Sequence, residues 1–132
     1  MKVLVLNDTK FEEKDIDGSL ESLQKIVGGY IELVYLFEEL SKNKIDLYVN
    51  EEGKYLMPEN VNIYIRYNDN SIKSETIVGP CLFASYDDNG NTIGLTDEQI
   101  EFVKSYFSDE RYYMPNYKSV FATFRLVKYV EI

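Results

Sequence analysis

Residues Leu20 to Phe37 constrain the fold of this chain more than any other stretch. They read Leu-Glu-Ser-Leu-Gln-Lys-Ile-Val, then Gly28-Gly29, then Tyr-Ile-Glu-Leu-Val-Tyr-Leu-Phe. The spacing of Leu20, Leu23, Ile26 and Val27 predicts an amphipathic helix with those residues on one side. Ser19 is placed to cap it by accepting a hydrogen bond from a first-turn amide. Gly28 suits the left-handed residue that ends a helix, because it has no Cβ to clash. Gly29 then lets the chain reverse into an apolar strand, Tyr30 to Phe37. A cap and a turn account for the glycine pair, and so does a ligand that approaches bare backbone there.

Period-two alternation supplies the rest of the fold. Ile45, Leu47 and Val49 alternate with Asp46, Tyr48 and Asn50, and Val61, Ile63, Ile65 and Tyr67 alternate with Asn62, Tyr64 and Arg66. Both patterns are those of half-buried strands. Lys2 to Asn7 reads as a first strand, joined through Asp8-Thr9 to a return strand over Phe11 to Ile16. Thr76 to Val78 and Cys81 to Tyr86 read as one further strand, bent at Gly79-Pro80. Glu38 to Asn43 is a surface turn or a single helical turn. Asn50-Glu51-Glu52-Gly53-Lys54 carries a hairpin signal, and Met57 to Asn60 is irregular because Pro58 holds the residue before it extended. Asn68 to Ser71 is a loop.

Leu95-Thr96-Asp97-Glu98-Gln99 opens a second helix with a capping box, in which Thr96 caps and Gln99 reaches back. Ile100, Val103, Tyr106 and Phe107 form its apolar stripe. Ser108 to Tyr117 is a loop, and Ser119 to Val130 a long closing strand. The expectation is an α+β fold, a mostly antiparallel sheet flanked by two short helices. Residues 1–107 form the domain, and 108–132 are a C-terminal extension of loop plus strand packed on it.

Composition narrows the chemistry. With 132 residues, 45% of them apolar and 19 of them tyrosine or phenylalanine, the chain can bury a core. It has no histidine, which removes the commonest general base, the Ser-His and Cys-His pairs and most zinc sites. A single cysteine, Cys81, excludes an internal disulfide and a cysteine metal cluster, and its apolar setting reads as a core thiol. The run Asp87 to Asn91 lacks the ligand offsets and central glycine of a calcium loop, so it reads as a turn. No metal, cofactor or catalytic group is expected. The net charge of −9 argues against nucleic acid as a partner, since phosphate binding needs clustered Lys and Arg. It is compatible with an acidic surface that imitates DNA, or with solubility alone. No run approaches the roughly 18 to 20 apolar residues that span a bilayer, and the N-terminal apolar stretch is too short for a signal peptide. A cytoplasmic location is the expectation.

A family resemblance rests on four segments. Asp17-Gly18-Ser19-Leu20-Glu21-Ser22-Leu23-Gln24, Val27-Gly28-Gly29-Tyr30-Ile31-Glu32, Asn50-Glu51-Glu52-Gly53-Lys54 and Leu95-Thr96-Asp97-Glu98-Gln99-Ile100 resemble the domain of unknown function 3846. That family comprises small proteins of phages, mobile elements and Gram-positive bacteria. The resemblance covers residues 1–107 and is most specific at Gly-Gly-Tyr-Ile-Glu. Family members often carry Leu-Pro-x-Asn-Arg after the Glu-Glu-Gly-Lys turn, where this chain has Met57-Pro58-Glu59-Asn60-Val61, without the arginine. The resemblance implies a phage or mobile-element context, and the host cytoplasm if phage-encoded, but no activity.

If the odd-numbered residues of three strands face the core, and if those strands are neighbours, the even ones share the other face. That face would carry Tyr30, Glu32, Tyr48, Asn50, Asn62, Tyr64 and Arg66, beside the backbone of Gly28 and Gly29, with Asp46 among them. Rings stack on a base, amides and acids read its edge, and a guanidinium grips phosphate. An ordinary solvated sheet face, or a tyrosine-rich subunit interface that would make the protein a homo-oligomer, has the same composition. The expected function is an anti-defence protein that sequesters a small nucleotide-derived immune signal, a cyclic nucleotide or ADP-ribose derivative, without cleaving it. The alternative is an acidic inhibitor or DNA mimic that blocks a restriction or defence enzyme by protein contact. A structural or regulatory interaction module is the third class, and an enzyme comes last.

Overall fold

The computed structural model describes residues 1–66, 74–107, 113–114, 125–126 and 128–132. In chain order the elements are β1 (Lys2–Asn7), β2 (Lys10–Asp15), α1 (Leu20–Val27), β3 (Ile31–Val34), α2 (Glu38–Lys42), β4 (Ile45–Asn50) and α3 (Gly53–Leu56). Then come β5 (Val61–Arg66), β6 (Ser74–Val78), β7 (Cys81–Tyr86), β8 (Thr92–Ile93) and α4 (Asp97–Tyr106). Three short strands follow, β9 (Tyr113–Met114), β10 (Arg125–Leu126) and β11 (Lys128–Glu131).

The fold is α+β and mostly antiparallel. The main sheet runs β2-β1-β7-β4-β3, with β8 added beside β7. A second sheet runs β11-β5-β6, and β9 pairs with β10 separately. β11 lies parallel to β5, while the other pairings are antiparallel.

Both faces of the main sheet are covered. On one side Leu23 of α1 packs on Val3, Val5, Tyr48, Leu82 and Ala84, with Ile26, Ile31 and Leu33 at the margin. On the other side the larger core joins Leu4, Leu6, Leu47, Val49 and Phe83 to Ile63, Ile65 and Ile77 of the second sheet and to Ile100, Val103 and Phe107 at α4. The central strands β1, β4 and β7, covered on both sides, therefore bury even and odd residues alike, while the edge strand β2 stays mostly exposed.

The helix starts follow the local chemistry. Ser19 Oγ accepts from the Ser22 amide at 3.1 Å, and Gly28 ends α1 at φ 84°. Thr96 and Gln99 form the reciprocal capping box of α4. Leu23 and Val27 are buried, but Leu20 is 57% exposed and lies off the apolar stripe expected of it.

Three expectations are corrected. The apolar strand after the glycines ends at Val34 rather than Phe37, and Tyr30 precedes it. Asn50 to Lys54 is not a hairpin. Asn50 Oδ1 accepts the Glu52 amide at 2.8 Å, the Leu56 amide bonds to the Glu52 carbonyl at 2.9 Å, and a helical turn, α3, results. Thr76–Val78 and Cys81–Tyr86 are not one bent strand. Gly79, at φ 85°, carries the chain from β6 in the second sheet to β7 in the main one. Most of the expected closing strand over Ser119 to Val130, the loop Asn68 to Ser71 and most of the loop Ser108 to Tyr117 lie outside the described residues.

Candidate functional site

The residues expected to share one face are distributed over three surfaces, for two reasons. First, the chain leaves the main sheet after β4, through α3 and Pro58, so Asn62, Tyr64 and Arg66 of β5 belong to the second sheet. Second, the β3–β4 register aligns Glu32 with Val49 and Leu33 with Tyr48. Directly opposed residues of an antiparallel pair share a face. Glu32 therefore lies on the face of Val49 and Leu47, and Tyr48 lies on the α1 side.

The amides expected to read a ligand bond within the protein. Asn50 is buried, donates from Nδ2 to the Val27 carbonyl at 3.1 Å and accepts the Glu52 amide. It thereby clamps the end of α1 to the end of β4. Asn62 is fully buried, accepts the Thr9 amide at 2.8 Å and donates to the Gly79 carbonyl at 2.8 Å. The Gly28-Gly29 backbone faces Asn50: a Cβ on Gly29 would stand 3.0 Å from Asn50 Nδ2. The close approach that these glycines permit is to a side chain of the same molecule.

The tyrosines differ among themselves. Tyr48 is buried, its hydroxyl lies 3.1 Å from Thr92 Oγ1, and burial raises its pKa. Tyr64 is half-buried beside Val61 and Val78. Tyr30 is 71% exposed at the start of β3. Arg66 ends β5 by its backbone, and its side chain lies outside the described residues. Burial raises the pKa of Asp46 as well.

What the fold does assemble is a groove of about 290 Å³ where β3 and β4 meet β6 and α3. Val34, Val49, Ile77 and Val78 make it apolar within. Glu32 from β3, Glu51 and Glu52 after β4, and Glu75 from β6 make it acidic, and Lys54 and Tyr55 of α3 complete the lining. Lys54 Nζ stands 3.5 Å from Glu75 Oε1, joining α3 to β6. Gly53 permits this approach, because a Cβ there would collide with the Val78 carbonyl oxygen. Among the described residues Glu32, Glu51 and Glu52 make no ion pair. Also among the described residues, no three acidic or thiol side chains converge as metal ligands would. The groove thus presents a diffuse negative field above an apolar floor.

Of the residues expected to bind a ligand, only Glu32 and Asn50 line this groove. Sequence reasoning missed Glu51, Glu52, Lys54, Tyr55 and Glu75. The doublet Glu51-Glu52 was a usable signal, since two adjacent acids beside a tight turn point outward. Glu75 had none, because nothing local brings it to β4.

A larger hollow, about 620 Å³, lies where α1 meets β1 and β2. Its carboxylates Glu12, Asp15 and Asp17 are already engaged, by Lys14, by the Met1 ammonium, and by Ser19 and Ser22. Cys81 is fully buried, and burial pushes its thiol far above the range in which a thiolate forms at neutral pH. Among the described residues no helix is long and apolar enough to cross a membrane.

A small α+β domain with an acidic groove is thus the class of molecule defined by the fold. Its sequence matches the family model described as Domain of unknown function (DUF3846) over residues 1–108, and the chain belongs to that family. The groove lies wholly inside the matched region. No curated protein and no solved structure matches the chain.

Proposed function

We propose that this protein acts by binding rather than catalysis, and that its acidic groove receives a basic segment of another protein. The observation that carries this reading is the charge of the groove. Among the described residues four glutamates line it against one ammonium, Lys54, which Glu75 already holds. Tyr55, 84% exposed on the same lining, offers the kind of aromatic contact enriched in protein interfaces. The net charge of −9 extends the field and would steer a basic partner toward the groove.

In the phage and mobile-element setting that the family resemblance implies, such a molecule would inhibit a defence or restriction enzyme in the host cytoplasm by covering a basic surface. Sequestration of a small nucleotide-derived signal is the weaker reading. Its ring and amide groups stand on separate surfaces, and a phosphate entering the groove would meet like charges.

Titration with lysine-rich peptides tests the proposal. Wild-type protein is expected to bind them, more weakly as salt rises. The triple variant Glu32→Gln, Glu51→Gln, Glu52→Gln should lose that binding while melting like the wild type. Absence of binding by wild type, or equal binding by the triple variant, refutes the reading. Binding of cyclic nucleotides or ADP-ribose derivatives in calorimetry would restore the sequestration reading.

A further inference from the structure

We infer that the partner segment enters as an added β-strand on the outer edge of β3, and that it alternates basic and apolar residues. The inference rests on the binding reading above and specifies how the segment sits. Among the described residues β3 is the last strand of the main sheet on its side, paired to β4 alone. The Tyr30 carbonyl accepts the Glu51 amide at 2.9 Å, which marks that pair as the hydrogen-bonded kind. The kinds alternate along an antiparallel ladder. Glu32 and Val34 therefore also turn their backbone groups to β4, and Ile31 and Leu33 turn theirs outward. The outer edge presents the N–H and C=O of both residues, spaced as one strand offers them to another.

An exposed edge is a template for pairing unless something blocks it. β3 carries no proline and no lysine, and its register with β4 is unbroken. Its one charged side chain is Glu32, which repels an acidic strand and attracts a basic one. A second copy of this chain, at net charge −9, would set Glu32 near its own kind. Recognition by strand addition uses main-chain bonds for affinity and alternate side chains for selectivity.

The two faces of β3 fix the pattern of the guest. Glu32 and Val34 line the groove, so every second residue of an added strand lies on the face that Glu51, Glu52 and Glu75 make negative. Ile31 and Leu33 are half-buried at the margin of the apolar cluster under α1. The intervening guest residues would extend that cluster, so they should be apolar. Tyr30 and Tyr35, 71% and 69% exposed, stand at the two ends of the edge.

The experiment compares three short peptides of alternating lysine and valine with the intact protein. One is unmodified, and the other two carry N-methyl groups on alternate backbone amides, in opposite registers. The unmodified peptide should bind, and one methylated register should bind about tenfold or more weakly through lost main-chain bonds, while the other is unaffected. In amide exchange Ile31 and Leu33 should gain protection in the complex. Equal affinity for all three, with Ile31 and Leu33 unprotected, overturns strand addition and leaves the groove reading standing. Failure of these peptides where other lysine-rich peptides bind also overturns it. Failure of every basic peptide removes the groove reading first.

Discussion

Replacing Asn50 by leucine tests whether this residue is a structural clamp or a ligand contact. The side chain is 5% exposed, and leucine is of similar size, so the change removes hydrogen bonds more than volume. Two backbone groups lose partners: the Val27 carbonyl, now 3.1 Å from Nδ2, and the Glu52 amide, 2.8 Å from Oδ1. A buried polar group left unsatisfied costs about 1–3 kcal/mol. The carbonyl is the more buried of the two, so the pair together should cost about 2–5 kcal/mol. In a domain of this size that lowers the melting temperature by on the order of ten degrees. Urea unfolding should show the lower midpoint with an unchanged slope. Asn50→Asp supplies a second reading. It keeps the acceptor for Glu52 but sets a carboxylate oxygen against the Val27 carbonyl. Burial and that contact raise the folded pKa above the unfolded one. The folded state then holds the proton more tightly, so the variant should be stable at low pH and lose stability as pH rises through the folded pKa. If Asn50→Leu unfolds with wild-type stability yet loses peptide binding, the clamp argument is wrong and Asn50 belongs to the binding surface.

Three further perturbations check the framework. Leu23→Ala should cost about 2–5 kcal/mol by chemical denaturation, as a buried leucine does, while Leu20→Ala, on the exposed side, should stay within about 0.5 kcal/mol of wild type; equal effects would refute the placement of α1. Gly53→Ala should destabilise by about 1–3 kcal/mol or more through its clash with the Val78 carbonyl, and a wild-type melting temperature would mean that α3 does not seat against β6. Asp17 accepts from the Ser19 amide at 2.9 Å and the Ser22 hydroxyl at 2.7 Å, which hold its pKa down, from 3.8 to about 2. Its stabilisation of the α1 start is complete above its unfolded pKa and is lost as pH falls through about 2; a carboxyl carbon that titrates by NMR at the ordinary aspartate value would refute these bonds.

Legibility from sequence divided along a physical line. Features set by a few adjacent residues were readable. Ser19 and Gly28 bound α1, and Thr96 with Gln99 opens α4, because caps depend on bonds within one turn. The alternation in β4 and β5 was readable as strand. What alternation could not supply was the number of covered faces. Tyr48 and Asn50 read as the solvent side of a half-buried strand, yet α1 folds over that side and buries both. The same uncertainty placed Asn62, an interior tie between two turns, among ligand contacts.

The groove was illegible for a stricter reason: its position depends on a parity that only pairing creates. The β3–β4 ladder joins even residues of one strand to odd residues of the other, so Glu32 falls beside Val49 instead of Tyr48. A register one residue different would send Glu32 to the α1 side, since a single slip exchanges the faces of a strand. The Gly28-Gly29 turn and the Tyr30–Glu51 bond fix that register, and Asn50 locks the turn by bonding to Val27. The stretch Gly28-Gly29-Tyr30-Ile31-Glu32 is thus the segment that decides which side of the sheet is acidic. Its glycines serve the groove indirectly, by aiming Glu32 at it.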